Sequence, residues 1–247
     1  MCRDCWPASE PPGELSRRDF LDRATLLVGA AALPWWANRP VDAELMAGAD
    51  SSRRIDVICK KAWGAEPPRG TFSRHTVRRL TVHHSGAILT RNRRAPDQLR
   101  SIQAYHQSKG FPDIAYHFIV DRHGNVYKGR PTWARPDTFT GYDTRGHLAV
   151  MCLGSFSEQS IPDSQVAAAR DVLAWAVEEF DVPVRRIRGH RDYTATACPG
   201  NDVYRLIQNG ELRGAVRRRI EGGGITLHRL CGTEGRQRVR AIEQGED

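Results

Sequence analysis

The ten residues HLAVMCLGSF, positions 147–156, are the strongest constraint on what this chain can fold into. This nearly unbroken apolar run has the length of a strand, lies between Gly146 and Gly154, and has no polar side to turn toward water. It therefore needs cover on both faces, as a central strand has between layers of helices. The flanking sequence supplies the helices. APDQLRSIQAYHQSKG places Leu99, Ile102 and His106 at helical spacing, with Pro96 and Asp97 at its start and Gly110 at its end. From Asp163, DSQVAAARDVLAWAVEEF carries Val166, Ala169, Leu173, Ala176, Val177 and Phe180 on one stripe and stops before Pro183. A shorter helix is predicted in DVYRLIQNGEL, after Pro199 and Gly200.

Two further segments read as extended. RRLTVHHSG is a strand ending at Ser85 and Gly86, which puts His83 and His84 at its end with side chains on opposite faces, so only one can serve a given site. DIAYHFIVDRHGNVYKGR reads as a hairpin turning near Arg122 to Asn125, with Tyr116, Phe118 and Val120 sharing one face of its first strand. Together these elements predict an α/β fold, a single mixed central β-sheet flanked by α-helices, with no internal repeat.

With 247 residues, 40% of them hydrophobic, the chain can bury a core of one ordinary domain plus tails. Its 27% charged and 8% aromatic content excludes disordered, fibrous and membrane-embedded classes. Residues 1–43 read as a twin-arginine export signal: Arg17 and Arg18 precede Phe20, Leu21 and an apolar run from Ala24 to Leu33 that is too short to span a bilayer. The protein is therefore expected outside the cytoplasmic membrane, with no transmembrane segment once the signal is removed. Residues 44–54 are expected to be a linker, 55–212 the folded domain, and 213–247 an Arg/Gly-rich C-terminal tail. Losing the five Arg and six Asp or Glu of residues 1–43 takes the net charge from +8 to +9, a basic surface suited to an anionic cell wall at least as readily as to nucleic acid. Beyond the signal lie Cys59, Cys152, Cys198 and Cys231. If Cys198 does chemistry, one disulfide among the other three is permitted in an oxidising compartment, and spacing does not choose it.

GHRDYTATACPG sets His190 and Cys198 a short loop apart. A hydrolytic zinc site needs three protein ligands and one open position, and neutral imidazole and thiolate both suit Zn²⁺. A histidine from the distant strand end, His83 or His84, together with His190 and Cys198 would supply two nitrogens and a sulfur. The same residues permit a second reading, in which Cys198 is a nucleophile with His190 as its base. His75, His106, His117, His123, His147 and His228 read as structural.

KKAWGAEPP, LTVHHSG, IQAYHQSKGFPDIAYHFIVDRHGNVYKGR and GHRDYTATACPG, in that order, resemble the peptidoglycan-recognition-protein and type 2 N-acetylmuramoyl-L-alanine amidase family over residues 55 to about 210. The resemblance implies that family's fold and a zinc amidase that cuts between the lactyl group of N-acetylmuramic acid and the L-alanine of the stem peptide. It further implies His83, His190 and Cys198 as zinc ligands, and catalytic roles for Tyr116 and Thr196. Read from its position alone, Asp192 either steadies His190 or only shapes the turn. The expected partner is peptidoglycan or a muropeptide, with no specific nucleic acid, and the chain is expected to be a monomer. Members of the family that lost the cysteine bind peptidoglycan without cutting it, and this chain keeps Cys198. It departs from the pattern in RPDTFTGYDTRG, where Thr138 stands in place of a histidine common in relatives and Asp143 in place of an asparagine. The runner-up reading is a recognition module that binds peptidoglycan without hydrolysis; a third is a cytoplasmic recycling amidase.

Overall fold

A computed structural model describes residues 54–247, so the predicted export signal and all but the last residue of the predicted linker lie outside the described residues. Seven strands, β1 (Arg54–Ile58), β2 (Arg79–His84), β3 (Phe118–Val120), β4 (Val126–Lys128), β5 (His147–Cys152), β6 (Ile187–Gly189) and β7 (Thr226–Leu230), form one sheet in the order β6-β2-β5-β3-β4-β1-β7. Neighbours run parallel except β3 and β4, which are the predicted antiparallel hairpin. The sheet is mixed, as expected, because one tight turn reverses the chain while every other connection crosses over.

All six residues of β5 are buried, and their alternation feeds two cores. Leu148, Val150 and Cys152 face one way, packing with Leu80, Val82, Phe118 and Val120 under α2 (Asp163–Glu179), α3 (Asn201–Gln208) and α4 (Glu211–Glu221). Met151 faces the other way, into a core with Ile119, Tyr127, Trp63 and Leu99, covered by α1 (Ala95–Ser108) and α5 (Gly232–Gln244). The continuous apolar run thus has a helical layer on each side. Among the described residues, no helix is long and apolar enough to cross a membrane.

The C-terminal segment corrects the sequence reading. Residues 213–247 are not a tail: they complete α4 and contribute β7 and α5. β7 extends the sheet beside β1 in unbroken register from Arg54↔Thr226 to Ile58↔Leu230. α5 buries Val239 and Ile242 in the second core, and Arg100 of α1 pairs with Glu243 at 2.8 Å. The Arg content that suggested an open tail sits on the outer faces of amphipathic elements whose apolar positions are few but buried. The buried stripe of α2 is also wider than predicted. Val172 and Trp175 are buried as well, Trp175 edge-on to Phe118 of β3 with ring centroids 5.3 Å apart, while Val166 and Val177 are only partly buried. Cys59, just after β1, and Cys231, just after β7, form a disulfide with Cα atoms 5.1 Å apart, leaving Cys152 buried and free.

Tyr116 does not share the face of Phe118 and Val120 predicted for it. It lies before β3 and packs toward the second core, away from Phe118 and Val120. The alternation stops at Phe118 because successive carbonyls, His117 O and Tyr116 O, accept from successive amides, Gly129 N and Arg130 N, both at 2.9 Å. That close approach needs Gly129, since a Cβ there would lie 2.1 Å from Tyr116 O.

The cross-link closes a loop spanning 172 positions of sequence, so Cys59→Ser/Cys231→Ser is expected to keep the fold but lose roughly 2–5 kcal/mol of stability. Urea denaturation followed by tryptophan fluorescence measures it, and an unchanged midpoint would contradict a structural role for the cross-link.

Candidate metal centre

The site begins with strand register. β2 and β6 are parallel neighbours with Leu80 opposite Ile187, Thr81 opposite Arg188 and Val82 opposite Gly189. One residue further, at the carboxyl ends of both strands, come His83 and His190. Paired positions in a parallel sheet project to the same face, and the two imidazole rings lie with centroids 4.7 Å apart. Carboxyl ends of parallel strands are where open α/β sheets hold ligands.

Cys198 returns to this point on the loop that follows His190. Its carbonyl accepts the Arg191 amide at 3.1 Å, and the Thr196 hydroxyl accepts the Cys198 amide at 3.2 Å. Gly200 has φ +87°, and a Cβ on it would sit 2.5 Å from the Phe156 carbonyl carbon, so the loop docks against Phe156 only because glycine is there. The Cys198 sulfur is thereby held 3.4 Å from the His84 amide and 3.6 Å from His83 Nδ1. His83, His190 and Cys198 each offer a ligand atom, and the three atoms lie within 4.8 Å of one another.

The choice between the paired histidines follows from the pleat. His84 gives the sulfur its backbone N–H, but its side chain leaves by the other face, where Nδ1 accepts the Phe156 amide at 3.2 Å. His83 points at the cluster.

Two neutral imidazoles and a thiol suit a divalent cation that binds nitrogen and sulfur. Burial lowers the proton affinity of His83 far below that of a free imidazole and holds His190 at about 4, so both keep a lone pair at neutral pH. Burial pushes the Cys198 thiol up to about 12, only partly offset by the His84 amide and Arg191. A thiol so placed is a poor nucleophile by itself and ionises readily only beside a positive charge, such as a bound cation. The donors therefore fit zinc.

Tyr116 stands beside the cluster, its ring centroid 5.3 Å from that of His83. Burial, with the nearby Cys198 next, raises its hydroxyl well above the usual phenol range, so it remains a hydrogen-bond donor. Rings then continue outward: Tyr116 to His106 at 5.8 Å, His106 to Phe139 at 5.6 Å, and Phe139 to Phe111 and Tyr105 at 4.5 and 5.7 Å. Phe139 is 57% and Tyr105 54% exposed, making an uncovered apolar wall that leads to the cluster.

Asp192 does not steady His190. Its carboxylate accepts the Gly189 amide at 2.8 Å and the Tyr204 hydroxyl at 2.7 Å, so it shapes the turn. Asp143 pairs with Arg145 on the surface. The residue that the sequence reading missed is Thr140, whose hydroxyl lies 2.8 Å from His190 Nε2. Fifty positions separate the two, and a threonine in a Gly-containing loop carries no signal of such a contact.

Comparison with known proteins agrees with this architecture. The N-acetylmuramoyl-L-alanine amidase family matches residues 73–201. Peptidoglycan-recognition protein SD of Drosophila simulans is 30% identical over 159 residues, covering 62% of this chain and 85% of that protein. The crystal structure of Drosophila peptidoglycan recognition protein SD superposes with a TM-score of 0.58 at 29% identity, covering 62% of this chain and 94% of that one. Peptidoglycan recognition protein LE, solved in complex with tracheal cytotoxin, a monomeric diaminopimelic-acid-type peptidoglycan, gives a TM-score of 0.56 at 25% identity, over 64% of this chain and 94% of that one.

Buried neutral histidines make stability depend on pH. His106, whose Nδ1 accepts the Ala115 amide, and His147, bonded to Thr81, are both held near 4 by burial. Because the unfolded chain takes up these protons near pH 6.5 and the folded one only near 4, the stabilisation is complete above pH 6.5 and is lost as pH falls toward 4. Calorimetry of the metal-free protein is expected to show the melting temperature falling through that window, and a flat profile would contradict it.

Proposed function

Because the chain belongs to the N-acetylmuramoyl-L-alanine amidase and peptidoglycan-recognition-protein family, we propose that it is a zinc-dependent amidase that hydrolyses the bond between the N-acetylmuramic acid lactyl group and the L-alanine of peptidoglycan stem peptides. The observation that carries this reading is the convergence of His83, His190 and Cys198 at the carboxyl ends of β2 and β6. Those three side chains would hold the ion. When bound, zinc supplies a positive charge that polarises an amide carbonyl and lowers the pKa of water.

The protein's own groups supply the rest. Amide hydrolysis develops negative charge on the carbonyl oxygen, which pre-positioned donors stabilise most strongly where water is excluded. The Tyr116 hydroxyl, held protonated by burial, is such a donor. The Thr196 hydroxyl accepts the Cys198 amide, which holds the ligand loop, and its own proton remains available to donate to substrate in this reading. The wall of Phe111, Phe139 and Tyr105 offers flat apolar surface to the chain of the substrate next to the scissile bond. The twin-arginine pattern of residues 1–43 supports action on the wall outside the cytoplasmic membrane.

A recognition module without hydrolysis is the second reading, favoured by the recognition-protein names of the relatives. Zinc analysis together with mass spectrometry of digested sacculi separates the two. The amidase reading predicts one zinc per chain and chelator-sensitive release of free stem peptides; binding to sacculi without release would overturn it in favour of the recognition module. Activity that survives chelation would instead revive a thiol nucleophile.

Substitutions divide the roles. His190→Ala and Cys198→Ser are expected to give folded proteins with less than one zinc bound and no hydrolysis. Tyr116→Phe is expected to keep the zinc and reduce turnover by about 10²-fold, the size of effect of losing one oxyanion donor. Full turnover by Tyr116→Phe would remove that residue from the chemistry.

A further inference from the structure

The His190 ring must do two things at once if it serves a cation. It must turn one nitrogen's lone pair inward, and a ligating imidazole then carries its single proton on the other nitrogen. Which nitrogen carries the proton is set by the hydrogen bond the outer nitrogen makes. One candidate partner, Asp192, has its two oxygens on the Gly189 amide and the Tyr204 hydroxyl. The group at His190 Nε2 is the Thr140 hydroxyl, at 2.8 Å.

That hydroxyl has a partner of its own. Thr140 Oγ1 lies 2.7 Å from Thr138 Oγ1, and Thr138 Oγ1 also accepts the Thr140 backbone amide at 3.1 Å. The three groups can be satisfied in series, with Nε2–H donating to Thr140 and the Thr140 hydroxyl donating to Thr138. With Nε2 so committed, Nδ1 is left to share the cluster, as on His83, whose Nδ1 lies 3.6 Å from the Cys198 sulfur. The opposite arrangement, with Thr140 donating to Nε2, would put a proton on Nδ1 and spoil the donor set.

We propose that Thr140, backed by Thr138, is a positioning residue that fixes His190 as the Nε2–H tautomer and so presents the Nδ1 lone pair to the cluster it forms with His83 and Cys198. The proposal rests on the zinc-site reading for its purpose, while the tautomer itself exists without metal. Thr138 thus supplies the second hydroxyl of a two-hydroxyl series that ends on the His190 ring.

The test uses the metal-free protein first. Long-range ¹H–¹⁵N correlation spectra of the wild type are expected to show His190 with a protonated Nε2 and an unprotonated Nδ1. Thr140→Val keeps the shape and removes both hydrogen-bonding functions, so the two tautomers should mix; Thr140→Ser should restore the wild-type spectrum. Zinc affinity from competition with a chelator should fall about 10- to 100-fold in Thr140→Val, the usual cost of losing a ligand's outer hydrogen bond, and recover in Thr140→Ser. A wild-type His190 protonated on Nδ1 would overturn the proposal, as would a folded Thr140→Val protein with unchanged tautomer and affinity. If the wild type binds no stoichiometric zinc, the amidase reading falls, and the metal-free spectra still decide the role of Thr140.

Discussion

Parallel pairing of β2 with β6 puts Val82 beside Gly189, and continuing that register by one residue brings His83 beside His190. Two imidazoles more than a hundred positions apart in sequence become neighbours through strand pairing. A slip of one residue in either strand would turn one of the rings to the opposite face, so the strand pairing that builds the sheet also selects which histidine of the pair faces the cluster. The register holds because Leu80 and Val82 are locked into a core with Leu148 and Val150 of β5.

The third donor depends on a different constraint. Cys198 reaches the strand ends only because the loop carrying it folds back, tied by the Arg191 amide and the Thr196 hydroxyl and docked on Phe156 through Gly200. The sulfur then lies against the His84 amide. The His-His dipeptide therefore contributes twice, one residue through its ring and the next through its backbone. On the far side of the sheet, the disulfide between Cys59 and Cys231 ties β7 and α5 to β1, closing the edge opposite β6. The site sits near one edge and the cross-link at the other, so the C-terminal unit steadies the sheet without touching the cluster.

Much of this was readable in sequence where a local rule sufficed. The apolar run of β5, the long helix from Asp163 and the hairpin turn carried period, caps and turn chemistry, and each formed close to the predicted bounds. The opposed faces of His83 and His84 followed from the pleat. What sequence did not carry was anything set by contact across the fold. Residues 213–247 looked like a tail because their apolar positions are sparse, yet those few residues meet a core that only the assembled sheet provides. Tyr116 left its expected face through a break in the ladder opposite Gly129. Asp192 was two residues from His190 and bonded elsewhere, while Thr140 was fifty away and bonded to it.

Two imidazole nitrogens and one sulfur of this chain are proposed to hold a zinc ion. X-ray absorption at the zinc edge of the metal-loaded protein tests it most directly. One sulfur neighbour at about 2.3 Å and two nitrogen neighbours at about 2.0–2.1 Å are expected, with the sulfur contribution gone in Cys198→Ser. A zinc shell of oxygen and nitrogen without sulfur in the unaltered protein would contradict it.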